Sequence, residues 1–380
     1  MHKIYLDNGS TSFPKAPGVG KAMADFIEKV GVNIGRGGYE EAYSAAEVVL
    51  DTREKLCRLF HFDKPENVIF TSGITASMNI LLKGLLKPGD RVLTTSMEHN
   101  AVMRPLLQLQ GVEYDRIQAN REGLINPADV EKLIRPNTRL DIMAHGSNVC
   151  GAVQDAAAVG EICKQHGIAF ALDVAQTAGH IDIDFEKWGL SALVAPGHKG
   201  LLGPSGIGVM LLRDAFAKEL NPLIAGGTGS ASDSEYLPDY LPDRFESGTP
   251  NLPGIYGLAA SMEFLQKEGL EKLHAHEMEL CKRFMDGVAQ IPGAVVCGPQ
   301  GLENRVGVIS LDFVGQDNAE VAYRLEMDHG ILTRCGLHCA PSAHKSLDTF
   351  PRGTVRFSLG FASTEEDVDT ALAAIRAVCE

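Results

Sequence analysis

The chain has 380 residues, of which 44% are hydrophobic, and this is enough apolar material for two cores rather than one. Its 35 basic and 49 acidic side chains give a formal net charge of -14, so the surface as a whole repels nucleic acid and anionic lipid, and we expect neither as a partner. The first residues lack the apolar core of a secretory signal, and the least charged long stretch, residues 190–212, contains a histidine, a lysine and several glycines and prolines. We therefore expect a cytoplasmic protein without a membrane span.

The first informative strand is predicted at residues 68–70 and leads through a glycine turn into a helix over residues 76–86. Free backbone N–H groups at that helix N-terminus, together with the helix dipole and the Thr75 hydroxyl, suit a phosphate group. A helix start capped by Ser or Thr needs no anion, so a capped helix without a ligand fits the pattern equally well.

A second strand is predicted at residues 91–94 and is followed by His99. An imidazole just beyond a strand end can stack on a planar ring and exchange protons near neutral pH. On its own, this histidine also fits an ordinary polar residue. A third strand is predicted at residues 140–144, and a helix follows over residues 155–166.

The near-continuous apolar run at residues 168–172 predicts a buried parallel strand that ends at Asp173. A buried carboxylate is costly unless it meets a cation or several hydrogen-bond donors. A protonated pyridinium nitrogen is such a cation, and the pairing would keep the ring protonated as an electron sink. The alternative for a single aspartate is to cap the following helix.

The next predicted strand, residues 190–195, leads through His198 to Lys199 and a Gly/Pro-rich turn. An amine held at a sheet edge, beside a histidine that can reach an anion, suits a Schiff base to an aldehyde cofactor. Taken alone, Lys199 fits a surface loop better, because lysines usually lie in solvent. The three preceding segments change this balance, since they supply the other groups that pyridoxal phosphate needs.

The alternation of strands and helices predicts an α/β fold with a mainly parallel sheet covered by helices on both faces. Ligands of such sheets bind at the carboxyl ends of the strands, where the candidate residues fall. Residues 206–212 predict an additional antiparallel strand, and residues 225–243 predict an irregular loop near the mouth of the site.

The pattern changes after residue 251. Helices are predicted over residues 254–289, 318–329 and 365–379, with short strands at residues 294–296 and 305–311. We interpret residues 15–253 as a large cofactor-binding domain, and residues 1–14 with 254–380 as a smaller α+β domain.

Eight cysteines in so long a chain are too sparse for a disulfide scaffold, so we expect reduced thiols. Cys335, His338 and Cys339 lie close together in the sequence, but no second pair of ligands accompanies them. No metal site is therefore predicted.

In this order, the segments resemble the class V, fold-type I pyridoxal-phosphate enzymes, and within them the cysteine desulfurase and selenocysteine lyase family. The resemblance covers nearly the whole chain, from residues 5–8 to residues 364–368. Its most specific part is Arg-Cys-Gly-Leu-His-Cys-Ala at residues 334–340 with Val-Arg-Phe-Ser-Leu at residues 355–359. His-Gly-Ser-Asn-Val at residues 145–149 also matches.

For the cofactor, the resemblance implies a Schiff base at Lys199, a pyridinium partner in Asp173 and a ring-stacking acid/base in His99. The resemblance also implies that Gln176 and Asn148 lie near the phenolic oxygen. The implied phosphate contacts are Ile74, Thr75, His198 and Thr249. Because the family often supplies the last contact from the neighbouring subunit, a homodimer is the expected working unit.

For the substrate, the resemblance implies that Arg356 holds the carboxylate beside Asn148, while Cys339 takes the sulfur as a persulfide and alanine is released. Cys339 must attack as a thiolate, so we expect a cation beside it, either His338 or the cationic pocket. Cysteine and selenocysteine are both candidate substrates. The short connection from Arg334 to Cys339 resembles desulfurases that unload the sulfur onto an acceptor protein or a reductant.

Two positions depart from the family pattern. Pro196 stands where many relatives have a serine that binds the phosphate, and proline offers neither a hydroxyl nor an N–H. Cys335 lies four residues before Cys339. It could act as a second sulfur relay or be a small packed side chain. We favour packing, because free cysteines are commonly buried and inert.

Two other functions stay open at this stage. In a class V aminotransferase, Cys339 would be structural and the amino group of a small amino acid would move to a keto acid. A non-enzymatic protein would use the fold to bind a nucleotide or a partner, and it would be colourless, because no cofactor would be bound at Lys199.

Overall fold

Three sheets organise the chain in the computed structural model, which describes residues 3–35 and 37–380. The strands are β1 (Ile4–Tyr5), β2 (Val68–Thr71), β3 (Arg91–Thr95), β4 (Glu113–Ile117), β5 (Thr138–Ala144), β6 (Ala169–Asp173), β7 (Ala192–Pro196), β8 (Gly208–Leu212), β9 (Ala294–Cys297), β10 (Val308–Phe313), β11 (Ile331–Leu332), β12 (Arg334–Gly336) and β13 (Thr354–Ser358). The helices are α1 (Val19–Asp25), α2 (Glu40–Leu59), α3 (Ile74–Leu85), α4 (Asn100–Leu107), α5 (Ala128–Leu133), α6 (Ala156–Gln165), α7 (Asp214–Glu219), α8 (Leu252–Glu268), α9 (Leu270–Val288), α10 (Asn318–His329), α11 (Pro341–Ser346) and α12 (Glu365–Cys379).

The large sheet has seven strands in the order β2-β8-β7-β6-β5-β3-β4. Strand β8 runs antiparallel to both of its neighbours, and the five strands from β7 to β4 run parallel to one another. Strands β7 and β8 are buried along their whole length, as expected where helices cover both faces. The prediction of a mainly parallel α/β sheet with an added antiparallel strand is therefore confirmed.

Two apolar clusters lie on the two faces of this sheet. Successive residues of a strand point to opposite faces, and accordingly Val68 and Phe70 belong to one cluster while Ile69 belongs to the other. The first cluster includes side chains of α2, α6 and α8, and the second includes side chains of α3, α4 and α7. The covering helices thus fix the sheet in place and leave its carboxyl edge for the loops that carry the candidate residues.

The second sheet is antiparallel, with the order β12-β13-β10-β9. Its apolar cluster includes side chains of α9, α10 and α12, and also Ile4 and Leu6 from the N-terminal segment. Strand β1 pairs in parallel with β11, and Asp7 forms a bridge with Ser358 at the end of β13. The start of the chain is therefore built into its C-terminal part. The domain boundary at residue 253 stays a prediction.

The prediction of one continuous helix over residues 254–289 is wrong, because the structure has two helices there. Helix α8 ends at Glu268 and α9 begins at Leu270, with Gly269 between them at a φ of 83°. Residues other than glycine rarely adopt that conformation, so this glycine ends one helix and changes the direction of the chain. The helices predicted over residues 318–329 and 365–379 have the observed bounds of α10 and α12.

Along the described residues, no helix is both long enough and apolar enough to cross a bilayer.

A matched pair of helix substitutions tests the close approach of α6 to the turn that precedes β7. An added Cβ at Gly160 would overlap the carbonyl oxygen of Trp188, whereas Gly20 in α1 has no atom within 4 Å of that position. We expect G160A to lower the free energy of unfolding by about 1–3 kcal/mol, because backbone must move to admit the methyl group. We expect G20A to be neutral or stabilising by up to about 1 kcal/mol, because alanine favours helix. Urea denaturation of the two variants and the parent measures both changes, and equal effects would contradict the packing argument.

Candidate active site

Four predicted residues follow the carboxyl ends of neighbouring parallel strands. His99 follows β3, Asn148 follows β5, Asp173 ends β6 and Lys199 follows β7. Because parallel strands end at the same edge of a sheet, these side chains converge there. The charge on Lys199 alters the pKa values of both His99 and Asp173, so the three groups share one electrostatic environment.

Lys199 is a partly buried amine, and its Nζ makes no hydrogen bond to the described residues. Burial lowers its pKa to about 8, and the nearby Asp173 carboxylate opposes the shift. A lysine pKa in this range leaves a useful fraction of neutral, nucleophilic amine near neutral pH.

Asp173 is a buried carboxylate, 4% exposed, with a single short backbone donor, since Ala175 N donates to Oδ1 at 2.9 Å. Burial raises its pKa to about 6, while the Ala175 N–H and Lys199 act in the opposite direction. The group is thus ionised near neutral pH but poorly compensated. A cationic ring nitrogen would supply the missing partner.

His99 caps α4, and its Nδ1 accepts a hydrogen bond from Ala101 N at 3.0 Å. Burial lowers its pKa to about 4, and the charge of Lys199 adds to this shift. A neutral imidazole with an accepting Nδ1 carries its proton on Nε2. His99 is therefore a neutral donor through Nε2.

The phosphate-binding groups predicted from the sequence lie at the ends of β2 and β7. Ile74 and Thr75 form the first turn of α3 after Gly73, and their backbone N–H groups have no hydrogen-bond acceptor within the described part of the chain. His198 Nδ1 is buried and has no partner among those residues either. Pro196 pairs with Gly208 as the last residue of β7, and it contributes no donor.

Thr249 does not share the cavity that Lys199 lines. It is exposed and lines a separate cleft with Asn33, Thr228 and Glu246. Glu246 accepts two hydrogen bonds from Arg53, at 3.0 and 2.7 Å, and this ion pair fixes the start of the loop that carries Thr249. Within one chain, Thr249 lines a cleft that none of the other predicted cofactor contacts lines.

Gln176 and Asn148 tie the sheet edge to other parts of the chain. Gln176 Nε2 donates to the Gly9 carbonyl oxygen at 3.0 Å, and Asn148 Nδ2 donates to the His338 carbonyl oxygen at 2.6 Å. Each amide retains a further polar atom, so both side chains can position these segments and still contact a ligand.

Arg356 on β13 is fully buried and is held by the N-terminal segment. Its Nη2 donates to Asp7 Oδ1 at 2.6 Å and to Ser10 Oγ at 2.7 Å, its Nη1 donates to the Asn148 carbonyl oxygen at 3.0 Å, and its Nε has no partner among the described residues. Sequence reasoning missed Asp7 and Ser10 as site residues. Their partner is more than 340 residues away, and no local pattern reports such a pairing.

Cys339 has a cation beside its sulfur, since Arg334 Nη2 donates to Sγ at 3.3 Å. The expectation that His338 supplies this charge is not supported, because burial lowers the pKa of His338 to about 2 and keeps the imidazole neutral. Arg334 lies opposite Arg356 in the β12–β13 pairing, so two guanidinium groups share one face of the second sheet. Sequence reasoning placed Arg334 in the motif but gave it no role.

Cys335 lies between Arg334 and Gly336 on β12, so its side chain points to the opposite face from Arg334. Burial raises its pKa, and the Asp317 carboxylate raises it further. This environment disfavours a thiolate and agrees with a packed side chain rather than a sulfur relay.

The turn that carries Cys339 is strained and anchored. His338 and Cys339 both have positive φ values, 48° and 60°, and such residues cost about 1–3 kcal/mol each. The His338 carbonyl oxygen accepts from Asn148 Nδ2, and the Cys339 carbonyl oxygen accepts from Asn100 N at 2.8 Å. These bonds connect the turn to the edge of the seven-stranded sheet.

The donor set fits pyridoxal phosphate: a free amine, an under-compensated buried carboxylate, a neutral imidazole and unpaired N–H groups at a helix N-terminus. The fold and these groups define a fold-type I pyridoxal-phosphate enzyme.

The aminotransferase class-V family profile matches residues 4–371, and the chain belongs to this pyridoxal-phosphate-dependent family. It is 32% identical over 371 residues to a probable cysteine desulfurase of Methanothermobacter thermautotrophicus, covering 96% of this chain and 92% of that relative. It is 33% identical over 380 residues to a probable cysteine desulfurase of Pyrococcus abyssi, covering 97% and 92%. The apo structure of a cysteine desulfurase from Thermococcus onnurineus NA1 superposes with a TM-score of 0.92 at 32% identity, covering 99% of this chain and 94% of that one.

The lowered pKa of Lys199 predicts how cofactor loading depends on pH. Capture of the aldehyde requires the neutral amine, so its rate should rise with pH and level off above about pH 8, the pKa of Lys199, instead of rising toward the ordinary value of 10.5. Cofactor-free protein would be mixed with pyridoxal phosphate between about pH 6 and about pH 10, reduced with borohydride and analysed by peptide mass spectrometry. K199R, which cannot form the adduct, is the control. A rate that still rises steeply at the alkaline end would contradict the prediction.

Proposed function

We propose that the protein is a cysteine desulfurase that converts L-cysteine to L-alanine and transfers the sulfur to Cys339 as a persulfide. The observation that carries the proposal is the Arg334 contact to Cys339 Sγ, which provides a thiol with a cation on the same sheet face as Arg356. A purely structural cysteine needs no such partner. The names of the relatives support the same reaction.

When bound, pyridoxal phosphate supplies an aldehyde that combines with an amino group and a ring that withdraws electrons from the substrate Cα. Lys199 would hold the cofactor, and its amine, once released, would remove the Cα proton. Asp173 would hold the ring nitrogen, and His99 would donate from Nε2. Arg356 would bind the substrate carboxylate and thereby orient the Cα–H bond.

Cys339 would then attack the substrate sulfur as a thiolate. One S–S bond forms and the C–S bond of the substrate breaks, so L-cysteine and the Cys339 thiol become L-alanine and a Cys339 persulfide. The guanidinium of Arg334 donates to Sγ at 3.3 Å and so helps to hold the sulfur in the site before attack. The strained turn holds the sulfur in place, so that little conformational freedom is lost at the moment of reaction.

Selenocysteine would follow the same steps, with a Cys339 S–Se bond forming as the weaker C–Se bond breaks, because the same residues contact the carboxylate and amine. The resemblance to selenocysteine lyases supports this second substrate. A cytoplasmic location, expected from composition, stays a prediction.

A matched pair of cysteine variants tests the role of Cys339. We expect C339S to lose desulfuration by at least about 100-fold, because the nucleophile is gone, while cysteine still perturbs the cofactor spectrum. We expect C335S to stay within about twofold of the parent, because Cys335 points to the other face of β12. Alanine released from cysteine and from selenocysteine would be measured side by side. Full activity of C339S on cysteine would contradict the proposal and favour the aminotransferase.

The same assay addresses the sulfur acceptor. A persulfide on an anchored turn needs a thiol or an acceptor protein to remove the sulfur, so turnover should be slow alone and faster when a thiol acceptor is added. Equal rates with and without the acceptor would contradict this part of the proposal.

We also propose that a homodimer completes the phosphate site, with Thr249 supplied by the neighbouring subunit. Its exposure, and its place in a cleft that none of the other predicted cofactor contacts lines, support this arrangement. We expect T249A and K199A to be impaired when each is assayed separately. When the two chains are refolded together at a one-to-one ratio, half of the dimers should contain one chain of each kind, and each such dimer should carry one intact site. About a quarter of the parent's sites should therefore be recovered. Sedimentation would verify that dimers form. If activity were not recovered at any mixing ratio, the shared site would be contradicted.

A further inference from the structure

A chain of buried hydrogen bonds lies behind the Cys339 turn. Thr354 Oγ1 donates to Ser310 Oγ at 3.0 Å, and Ser310 Oγ donates to the Val149 carbonyl oxygen at 2.6 Å. His338 Nε2 lies 3.0 Å from Thr354 Oγ1. Since the one hydroxyl proton of Thr354 is committed to Ser310, Thr354 accepts from His338, and the His338 proton is on Nε2.

His338 has no acid–base role in this position. It is 2% exposed, its pKa is lowered to about 2 by burial and by nearby Arg356, His344 and Arg334, and its Nδ1 has no partner among the described residues. Its ring lies against that of His344, with the ring centroids 5.4 Å apart. We therefore consider what the His338 imidazole holds in place through its hydrogen bond and its packing.

The contacts of His338 hold the Cys339 turn from the side of the second sheet. Two backbone carbonyls of the turn accept hydrogen bonds, one from the Asn148 side chain in the loop after β5 and one from the Asn100 N–H at the start of α4. The His338 side chain adds the third attachment, through Thr354 on β13 and Ser310 on β10. Positive φ values at two successive non-glycine residues persist only where surrounding contacts impose them.

We propose that His338 is a positioning residue for Cys339. Its Nε2–H bond to Thr354 keeps the turn in the left-handed conformation, and so keeps Sγ beside Arg334 and inside the site. The catalytic consequence rests on the proposed desulfuration, whereas the conformation of the turn is measurable without a substrate.

Two substitutions at one position test the bond. T354V removes the acceptor for His338 and T354S retains it. We expect T354V to lower kcat for alanine formation by at least about tenfold with KM for cysteine within about twofold, because substrate binding through Arg356 is preserved while the sulfur is misplaced. T354S should restore kcat to within about threefold of the parent.

Amide hydrogen exchange supplies the readout that does not depend on activity. The Asn100 N–H is bonded to the Cys339 carbonyl oxygen, so it reports whether the turn keeps its conformation. We expect exchange at Asn100 to be at least about tenfold faster in T354V, measured in the protein with and without pyridoxal phosphate, and unchanged in T354S.

H338F is the second variant, because phenylalanine keeps a planar ring and cannot donate to Thr354, and it should reproduce T354V. T52V is the matched control, since it removes a buried threonine hydroxyl that, among residues 3–35 and 37–380, bonds only to the Val48 carbonyl oxygen in α2. T52V should leave kcat and Asn100 exchange unchanged. Exchange and kcat in T354V within about twofold of the parent would overturn the proposal, and so would equal losses in T354S. A parent protein that releases no alanine would instead contradict the proposed function, and the exchange data would still decide the positioning role.

Discussion

The arrangement of the site depends on the buried guanidinium of Arg356. It is bonded to Asp7 and Ser10 of the N-terminal segment and to the Asn148 carbonyl oxygen at the edge of the seven-stranded sheet. Removing one partner of a buried ion pair leaves an uncompensated charge and costs about 3–5 kcal/mol. Arg356 therefore holds three parts of the chain together: the N-terminal segment, the second sheet and the loop after β5.

Burial then sets the charge of each group around that cation. It lowers the pKa of Lys199 and of His99, and it raises the pKa of Asp173. The amine becomes a better nucleophile, the imidazole stays neutral, and the carboxylate lacks a full set of partners. The same desolvation makes His338 neutral, so Arg334 is the cation beside Cys339. Desolvation thus gives different charge states to residues that the sequence shows only to be polar.

The strands of the large sheet other than β4, and helices α3, α6, α10 and α12, could be predicted because their information is local, whereas α1, α2, α4, α5, α7 and α11 were not predicted. Strand β8 and helices α10 and α12 follow directly from apolar periodicity, and the candidate residues, each found from its own segment, agree with the rule that ligands bind at the ends of parallel strands. The break at Gly269 was missed because the apolar pattern continues across it. The pairing of Asp7 with Arg356 was missed because it joins the two ends of the chain.

By itself, the sequence determined the α/β class, the edge of the sheet that binds the ligand and the motif that carries Cys339. These depend on hydrophobic periodicity and on residue types at short spacing, which folding does not alter. Only the tertiary structure decided that Arg334 rather than His338 contacts the sulfur, that Cys335 points to the opposite face, and that Thr249 lines a cleft apart from the other predicted cofactor contacts. Those outcomes depend on strand register and on burial, and both arise from contacts between segments far apart in the chain.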